Sequence, residues 1–319
     1  MTPGRRLLLV ETEQPADLEL YRAALSAEFP ALDLVTARSR EEAHAVAAGV
    51  DAVAGKAGCI PATAVAAMPR LEWIHALTTG VDSILAMDLR PGVVVTATRG
   101  VHGPQMSELA LLQMMSLARG FPRMLENQRQ SLWRRWPQPL LLGRTVVIVG
   151  VGNIGEELAR RCGAFGMRVI GVSDGRSQVP GFDAIHPRSE LRAAAAAADF
   201  LVVLVPYSSA THALIDASVL RAMRTDAFLV NIARGGVLDE AALIEALRER
   251  RIAGAALDVF REEPLPAASP LWSLPNVIVT PHVGGMSDRY AEQVLPQLRH
   301  NVGAWLRGGT GGLRNVVRS

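Results

Sequence analysis

The hexapeptide Gly150-Val151-Gly152-Asn153-Ile154-Gly155 constrains this chain more than any other feature. It follows an apolar, β-branched run at 145–149 and opens a stretch of helical period at 155–165. Alone, a G-x-G-x-x-G says little. Between a strand and a helix it reads as the first turn of a dinucleotide-binding βαβ unit. Gly150 permits the tight turn, Gly152 lets the backbone approach a pyrophosphate, and Gly155 lets the helix pack close to the strand. The helix start at Asn153 and Ile154 then offers N–H groups and a partial positive charge to the phosphates.

The rest of the chain alternates in the same manner. Short β-branched runs at 7–10, 33–36, 51–54, 72–76 and 93–96 are separated by helical stretches such as 16–27 and 40–48. The alternation restarts with runs at 145–149, 168–172, 200–204, 227–231, 254–258 and 277–280. This is the pattern of parallel sheets with crossover helices. A long helical stretch at 104–132 joins the two series. After Pro281 no further strand stands out; 288–307 reads as one amphipathic helix, followed by a glycine-rich tail at 308–312. The expected architecture is α/β, with two doubly wound parallel-sheet domains. Residues 102–286 form a Rossmann dinucleotide-binding domain inserted into a flavodoxin-like domain made of 1–101 and 287–319.

Composition narrows the function classes. The 319 residues suit two domains, and a net charge of +2 with no basic stripe gives nucleic-acid binding little support. Cys59 and Cys162 are far apart and lack metal-ligand spacing, which predicts neither a disulfide framework nor a Cys-ligated metal and fits a reducing compartment. No apolar stretch approaches the roughly 20 residues of a membrane span, and the run at 7–10 is too short for a signal-peptide core. A soluble, cytoplasmic protein with a small-molecule ligand is the expectation.

About 20 residues past the glycine turn, at the end of the second strand, an acid would hold the ribose 2′-hydroxyl. Here the sequence is Ser173-Asp174-Gly175-Arg176-Ser177. Asp174 could accept from that hydroxyl and favour NAD, or simply cap a turn. Arg176 with Ser173 and Ser177 could instead cradle a 2′-phosphate and favour NADP. The segment leaves both cofactors open.

Three later strands each end on reactive residues: Asn231-Ile232-Ala233-Arg234-Gly235, then Asp258-Val259-Phe260-Arg261-Glu262-Glu263-Pro264, then Thr280-Pro281-His282-Val283-Gly284. Carboxyl ends of parallel strands converge on one crevice, so these residues can be neighbours. Together they match the reduction of a 2-oxo acid. Arginine recognises a carboxylate through a planar fork. Histidine exchanges a proton with the carbonyl oxygen, and a carboxylate behind it orients the ring and raises its pKa.

In order and spacing, the glycine turn, N-x-x-R-G, D-V-x-x-x-E-P and T-P-H-x-G resemble the D-isomer-specific 2-hydroxyacid dehydrogenase family over essentially the whole chain. The resemblance implies Arg234 as the substrate-binding and catalytic arginine, Glu263 as the histidine's partner and His282 as the acid/base. Glu263, not Glu262, immediately precedes the proline and so matches the motif. It also implies a substrate loop at Thr78-Thr79-Gly80-Val81-Asp82, with Thr79, Gly80 and Val81 receiving the carboxylate; the Thr78 and Thr79 side chains could equally serve only to stabilise that loop. Val205-Pro206 and Ile232-Ala233 are expected to touch the cofactor, and Asp258 to lie near the nicotinamide carboxamide. His75, leading into the loop, reads as a structural histidine.

NAD-using members usually carry an acid where Ser173 falls, so NAD or NADP stays open here too. Trp133 and Trp136 are similar to a tryptophan segment that in glyoxylate and hydroxypyruvate reductases reaches a neighbouring subunit, though core or interface packing explains them equally. With 105–119, that segment suggests a homodimer. The implied activity is hydride transfer between NAD(P)H and a small 2-oxo or D-2-hydroxy acid, glyoxylate or hydroxypyruvate first. Phosphoglycerate oxidation is less expected, because the chain ends near 319 without a C-terminal regulatory domain; formate or phosphite oxidation suits the same scaffold. The rival class is a dinucleotide-sensing, corepressor-like binding protein. Retention of Arg234, Glu263 and His282 speaks against it.

Overall fold

The computed structural model describes residues 4–319; Met1, Thr2 and Pro3, which open the first segment, lie outside the described residues. The chain divides into two compact units, Met1–Val101 with Ser287–Ser319, and His102–Met286.

In the first unit, β1 (Arg6–Val10), β2 (Asp33–Ala37), β3 (Ala52–Gly55), β4 (Trp73–Ala76) and β5 (Val94–Ala97) form a parallel sheet in the order β5-β4-β3-β1-β2. A central parallel strand is covered on both faces and therefore reads as a continuous apolar run. Leu7 to Val10 are accordingly almost fully buried. Each such leucine contributes roughly 1.5–3 kcal/mol by leaving water. One face is covered by the helix Pro15–Glu28, which buries Leu18, Tyr21 and Leu25 at helical spacing. On the other face lie Ala43, Ala64, Val65 and Ile84. At the carboxyl ends of β1 and β3 the buried Glu11 meets Lys56, the chain's one lysine, at 3.0 Å. Glu11, Glu13 and Cys59 come within 4.8 Å of one another there, and the Lys56 ammonium supplies the counter-charge.

The second unit holds β6 (Thr145–Val149), β7 (Arg168–Val172), β8 (Ala184–His186), β9 (Phe200–Val203), β10 (Phe228–Asn231), β11 (Gly254–Leu257) and β12 (Val277–Val279). All seven run parallel, in the order β12-β11-β10-β9-β6-β7-β8. The chain winds one way from β6 to β8 and the other way from β9 to β12. The switch point therefore falls between β6 and β9, where such sheets place their ligand. β8 was not expected from the sequence: it is a three-residue, half-buried edge strand and carries no apolar run to announce it. The helical stretch at 104–132 is two helices, Gly103–Arg119 and Phe121–Arg129. Gly120 ends the first in the left-handed region (φ 63°, ψ 39°), and Pro122 begins the second.

The chain then returns to the first unit. The helix Tyr290–Gly308 buries Val294, Leu298, Val302 and Trp305 beside Leu18 and Leu25. The tail beyond the glycines ends in β13 (Val316–Arg318), antiparallel to β5 at the sheet edge. The sequence reading had no strand there; a three-residue edge strand is too short to show a pattern. Among the described residues, no helix is long and apolar enough to cross a membrane.

Candidate active site

The glycine turn lies at the switch point of the second unit. Gly150 sits at φ 115°, and a Cβ there would come within 2.9 Å of the Leu204 carbonyl carbon and the Val205 nitrogen. A Cβ on Gly155 would lie 2.4 Å from the Gly150 carbonyl oxygen. A Cβ on Gly152, by contrast, would meet no atom within 4 Å. The first and third glycines are thus required by the fold. The second leaves a clear approach to the start of the 12-residue helix Asn153–Ala164, whose N-cap carries no side-chain hydrogen bond. Those residues fit a dinucleotide pyrophosphate, which needs backbone N–H groups within reach and no side chain in the way. Asn153 is exposed and Ile154 half-buried at that helix start.

On the other side of the switch point, β10 to β12 present the reactive residues. Asn231 is fully buried; its Oδ1 accepts from the Ala233 N–H (3.1 Å) and its Nδ2 donates to the Arg234 carbonyl (3.2 Å). This side chain shapes the loop that carries Arg234. The next residue must be glycine, because a Cβ on Gly235 would sit 1.9 Å from the Phe260 carbonyl carbon. Asp258, 1% exposed, immediately follows β11 and accepts from Thr280 Oγ1 (2.6 Å), Val283 N (3.0 Å) and Gly284 N (2.8 Å). Its contacts make it the anchor of the loop bearing His282. His282 Nδ1 lies 2.7 Å from Glu263 Oε2, and Glu263 Oε1 accepts from the Phe260 N–H at 2.9 Å. The Glu263–Pro264 peptide is cis.

Charge couples this group. The hydrogen bond to Glu263 raises the His282 pKa above its ordinary value, against the opposing effects of burial and the Arg234 charge. Burial works to raise the Glu263 carboxyl, but its hydrogen bonds from His282 and Phe260 outweigh that and hold it below the usual range. The pair is therefore biased toward imidazolium–carboxylate.

His102, absent from the sequence reading, belongs to the same surroundings. It is 8% exposed, and burial with the nearby Arg234 charge pushes its pKa down to about 4. A Cβ on Gly285, three residues past His282, would touch its ring at 3.4 Å. No motif marks it, since its neighbours come from distant segments.

The remaining expected positions are distributed as follows. Val205, Ile232 and Ala233 are buried; the Pro206 carbonyl accepts from Thr211 Oγ1 at 2.7 Å. Ser173, Asp174 and Arg176 stand at the end of β7, with Asp174 held by Arg188 and Arg176 by Glu156. Arg188 also escaped the sequence reading. In the first unit, the loop after β4 is tied by Thr78 Oγ1 to the Gly80 carbonyl and by Thr79 Oγ1 to the Thr98 carbonyl, both at 2.8 Å. Both hydroxyls thus stabilise the loop, and Val81 is buried beneath it. His75 is fully buried, with Nδ1 2.7 Å from Thr96 Oγ1, and burial pushes its pKa down to about 3. Trp133 is 92% exposed, whereas Trp136 lies under the Arg123 guanidinium at 4.5 Å.

Comparison with known proteins accords with this geometry. The family model described as D-isomer specific 2-hydroxyacid dehydrogenase, NAD binding domain, matches residues 111–284. The chain is 33% identical over 249 residues to the glyoxylate reductase of Korarchaeum cryptofilum, covering 76% of this chain and 75% of that protein. It is 34% identical over 245 residues to the D-3-phosphoglycerate dehydrogenase of Methanocaldococcus jannaschii, covering 72% of this chain but only 46% of that protein. Among solved structures, a D-isomer specific 2-hydroxyacid dehydrogenase family protein from Aeromonas salmonicida superposes with a TM-score of 0.90 at 33% identity, covering 99% of both chains. A D-isomer specific 2-hydroxyacid dehydrogenase from Xanthobacter autotrophicus, solved with NADPH and MES, gives 0.83 at 30% identity, covering 99% of this chain and 98% of that one. The chain belongs to the D-isomer specific 2-hydroxyacid dehydrogenase family. It is an NAD(P)-dependent oxidoreductase of 2-oxo and 2-hydroxy acids.

Proposed function

We propose that the chain reduces a small 2-oxo acid, glyoxylate or hydroxypyruvate first, to its D-2-hydroxy acid. The observation that carries this reading is the 2.7 Å contact of His282 Nδ1 with Glu263 Oε2, in a setting where the Arg234 charge acts on both residues. Glu263 fixes the Nδ1 proton, which leaves Nε2 as the atom that exchanges a proton with substrate. Its partner favours the protonated form of His282, the form that donates to the carbonyl oxygen as negative charge develops there. Arg234 binds the substrate carboxylate as a planar fork and fixes which face of the carbonyl is presented. When bound, a nicotinamide would supply the hydride. In the opposite direction a neutral His282 accepts the hydroxyl proton.

Contacts of Thr79, Gly80 and Val81 with the substrate carboxylate are a separate proposal, read by a rise in KM with little change in kcat when Gly80 is replaced. For the cofactor, Gly150, Gly152, Asn153, Ile154 and Gly155 would hold the pyrophosphate, with Val205, Pro206, Ile232, Ala233 and Asp258 along the rest of its length. A homodimer is supported by the exposed apolar side chains Leu112, Phe121, Leu125, Trp133, Leu140 and Leu142. Two buried free thiols, Cys59 and Cys162, accord with a cytoplasmic setting.

Initial rates with NADH and NADPH against glyoxylate, hydroxypyruvate, pyruvate and bulkier 2-oxo acids test the reading. Saturable oxidation with glyoxylate or hydroxypyruvate, at the highest kcat/KM of the panel, is expected. Tight cofactor binding without oxidation on any of them would instead make the chain a dinucleotide-sensing binding protein.

A further inference from the structure

We propose that this chain selects NADP(H), that Arg188 is the selecting residue, and that Asp174 serves to hold Arg188 rather than to read the ribose. The proposal rests on dinucleotide binding at the glycine turn but not on the identity of the 2-oxo acid.

In a sheet of this topology the adenosine ribose lies at the carboxyl end of the strand after the glycine turn, here β7. The Ser173 N–H donates to the His186 carbonyl at 2.9 Å, which carries the β7–β8 pairing one residue further and sets Ser173 at the strand tip. Its hydroxyl accepts from the Gly175 N–H at 3.3 Å and keeps its own proton to donate. Asp174 is turned toward the segment following β8. Its Oδ1 accepts from the Arg188 N–H at 2.8 Å, and its Oδ2 lies 3.3 Å from Arg188 Nε. An acid that selects NAD offers an unpaired charge to the ribose hydroxyls; the Asp174 carboxylate is already ion-paired with Arg188 and accepts its backbone N–H.

Arg188 is thereby anchored through its backbone N–H and its Nε, and again through Nη1, which donates to the Ala210 carbonyl at 3.2 Å. Among the described residues, its Nη2 has no protein partner. Arg176 flanks the tip from the side of the glycine turn, with Nη1 on Glu156 and on the Val151 carbonyl. Its Nε and Nη2 likewise have no protein partner among the described residues. The other nearby carboxylate, Glu190, is bound by His186 at 2.8 Å. The tip therefore has two guanidinium groups with N–H donors to spare and one hydroxyl beside it, while Asp174, Glu156 and Glu190 each lie against a basic side chain. A 2′-phosphate takes charge-assisted bonds from such a set, whereas a ribose diol meets an acid whose charge is already paired with Arg188. Sequence alone left both cofactors open, because Asp174 and Arg176 point to opposite choices.

The test is equilibrium binding of NADH and NADPH, followed by protein fluorescence with no 2-oxo acid present, so a wrong substrate assignment does not affect it. The wild-type protein is expected to bind NADPH at least about tenfold more tightly than NADH. Arg188→Ala should lose about tenfold or more for NADPH and stay within about twofold for NADH, the retained NADH binding showing an intact fold. Arg188→Gln, which keeps a stem and an N–H donor for Ala210, should show the same selective loss with less disturbance of the loop. Asp174→Asn should leave NADH affinity within about twofold. The proposal is overturned if the wild type prefers NADH, or if both Arg188 variants weaken the two cofactors equally. It is equally overturned if Asp174→Asn costs more than about fivefold in NADH affinity, as expected of an acid that reads the ribose.

Discussion

His282 adopts φ 52°, a left-handed conformation that a side-chain-bearing residue holds at a cost of about 1–3 kcal/mol. The surrounding bonds over-determine it: its N–H donates to the Asp258 carbonyl at 2.9 Å, and the Asp258 carboxylate binds the next two backbone N–H groups. The strain places the ring against Glu263, whose hydrogen bond raises the pKa of the histidine. A raised pKa extends the protonated form upward in pH. Reduction, which needs the imidazolium, should therefore persist above the ordinary histidine range and fall as pH passes the raised value. Oxidation of the hydroxy acid should show the mirror dependence. Glu263→Gln removes the main raising cause and should move the alkaline limb of kcat/KM for reduction to lower pH. A pH–rate profile of that variant superimposable on the wild type would remove Glu263 from the proposed mechanism.

Among the elements, close approach of backbone segments decides what can be changed. The loop after β10 meets Phe260 so tightly that Gly235→Ala must push apart the segments carrying Arg234 and Glu263. A loss of roughly 3 kcal/mol or more is expected, read as a lowered Tm and a reduced kcat together. The same physics explains what the sequence disclosed. Central strands such as β1 and β6 are buried on both faces and announce themselves as apolar runs, while the three-residue edge strands β8 and β13 do not. Arg234, Glu263 and His282 were legible as candidates because each lies in a loop just past a strand, and those strands are neighbours in one sheet. His102 and Arg188 were not, because each acts through segments far away in sequence: Gly285 for one, Asp174 and Ala210 for the other. Asp174 was legible as a residue but its direction was not; only the fold reveals that it faces Arg188.

At the scale of the molecule, two doubly wound units share one chain, and the second carries both the glycine turn and the proposed reacting residues. In the proposed homodimer the exposed apolar side chains Leu112, Phe121, Leu125, Trp133, Leu140 and Leu142 would meet a second copy, with Trp133 the most exposed of them. If the proposed homodimer forms, Trp133→Asp should shift the species seen by sedimentation from dimer toward monomer; a monomeric wild type would dismiss that proposal. The central claim, that His282 is the acid/base of a 2-oxo acid reductase, is tested most directly by His282→Ala. With glyoxylate as substrate, kcat should fall by about 10²–10⁴-fold while the dissociation constant of the reduced cofactor stays unchanged. Undiminished turnover in that variant would contradict the account.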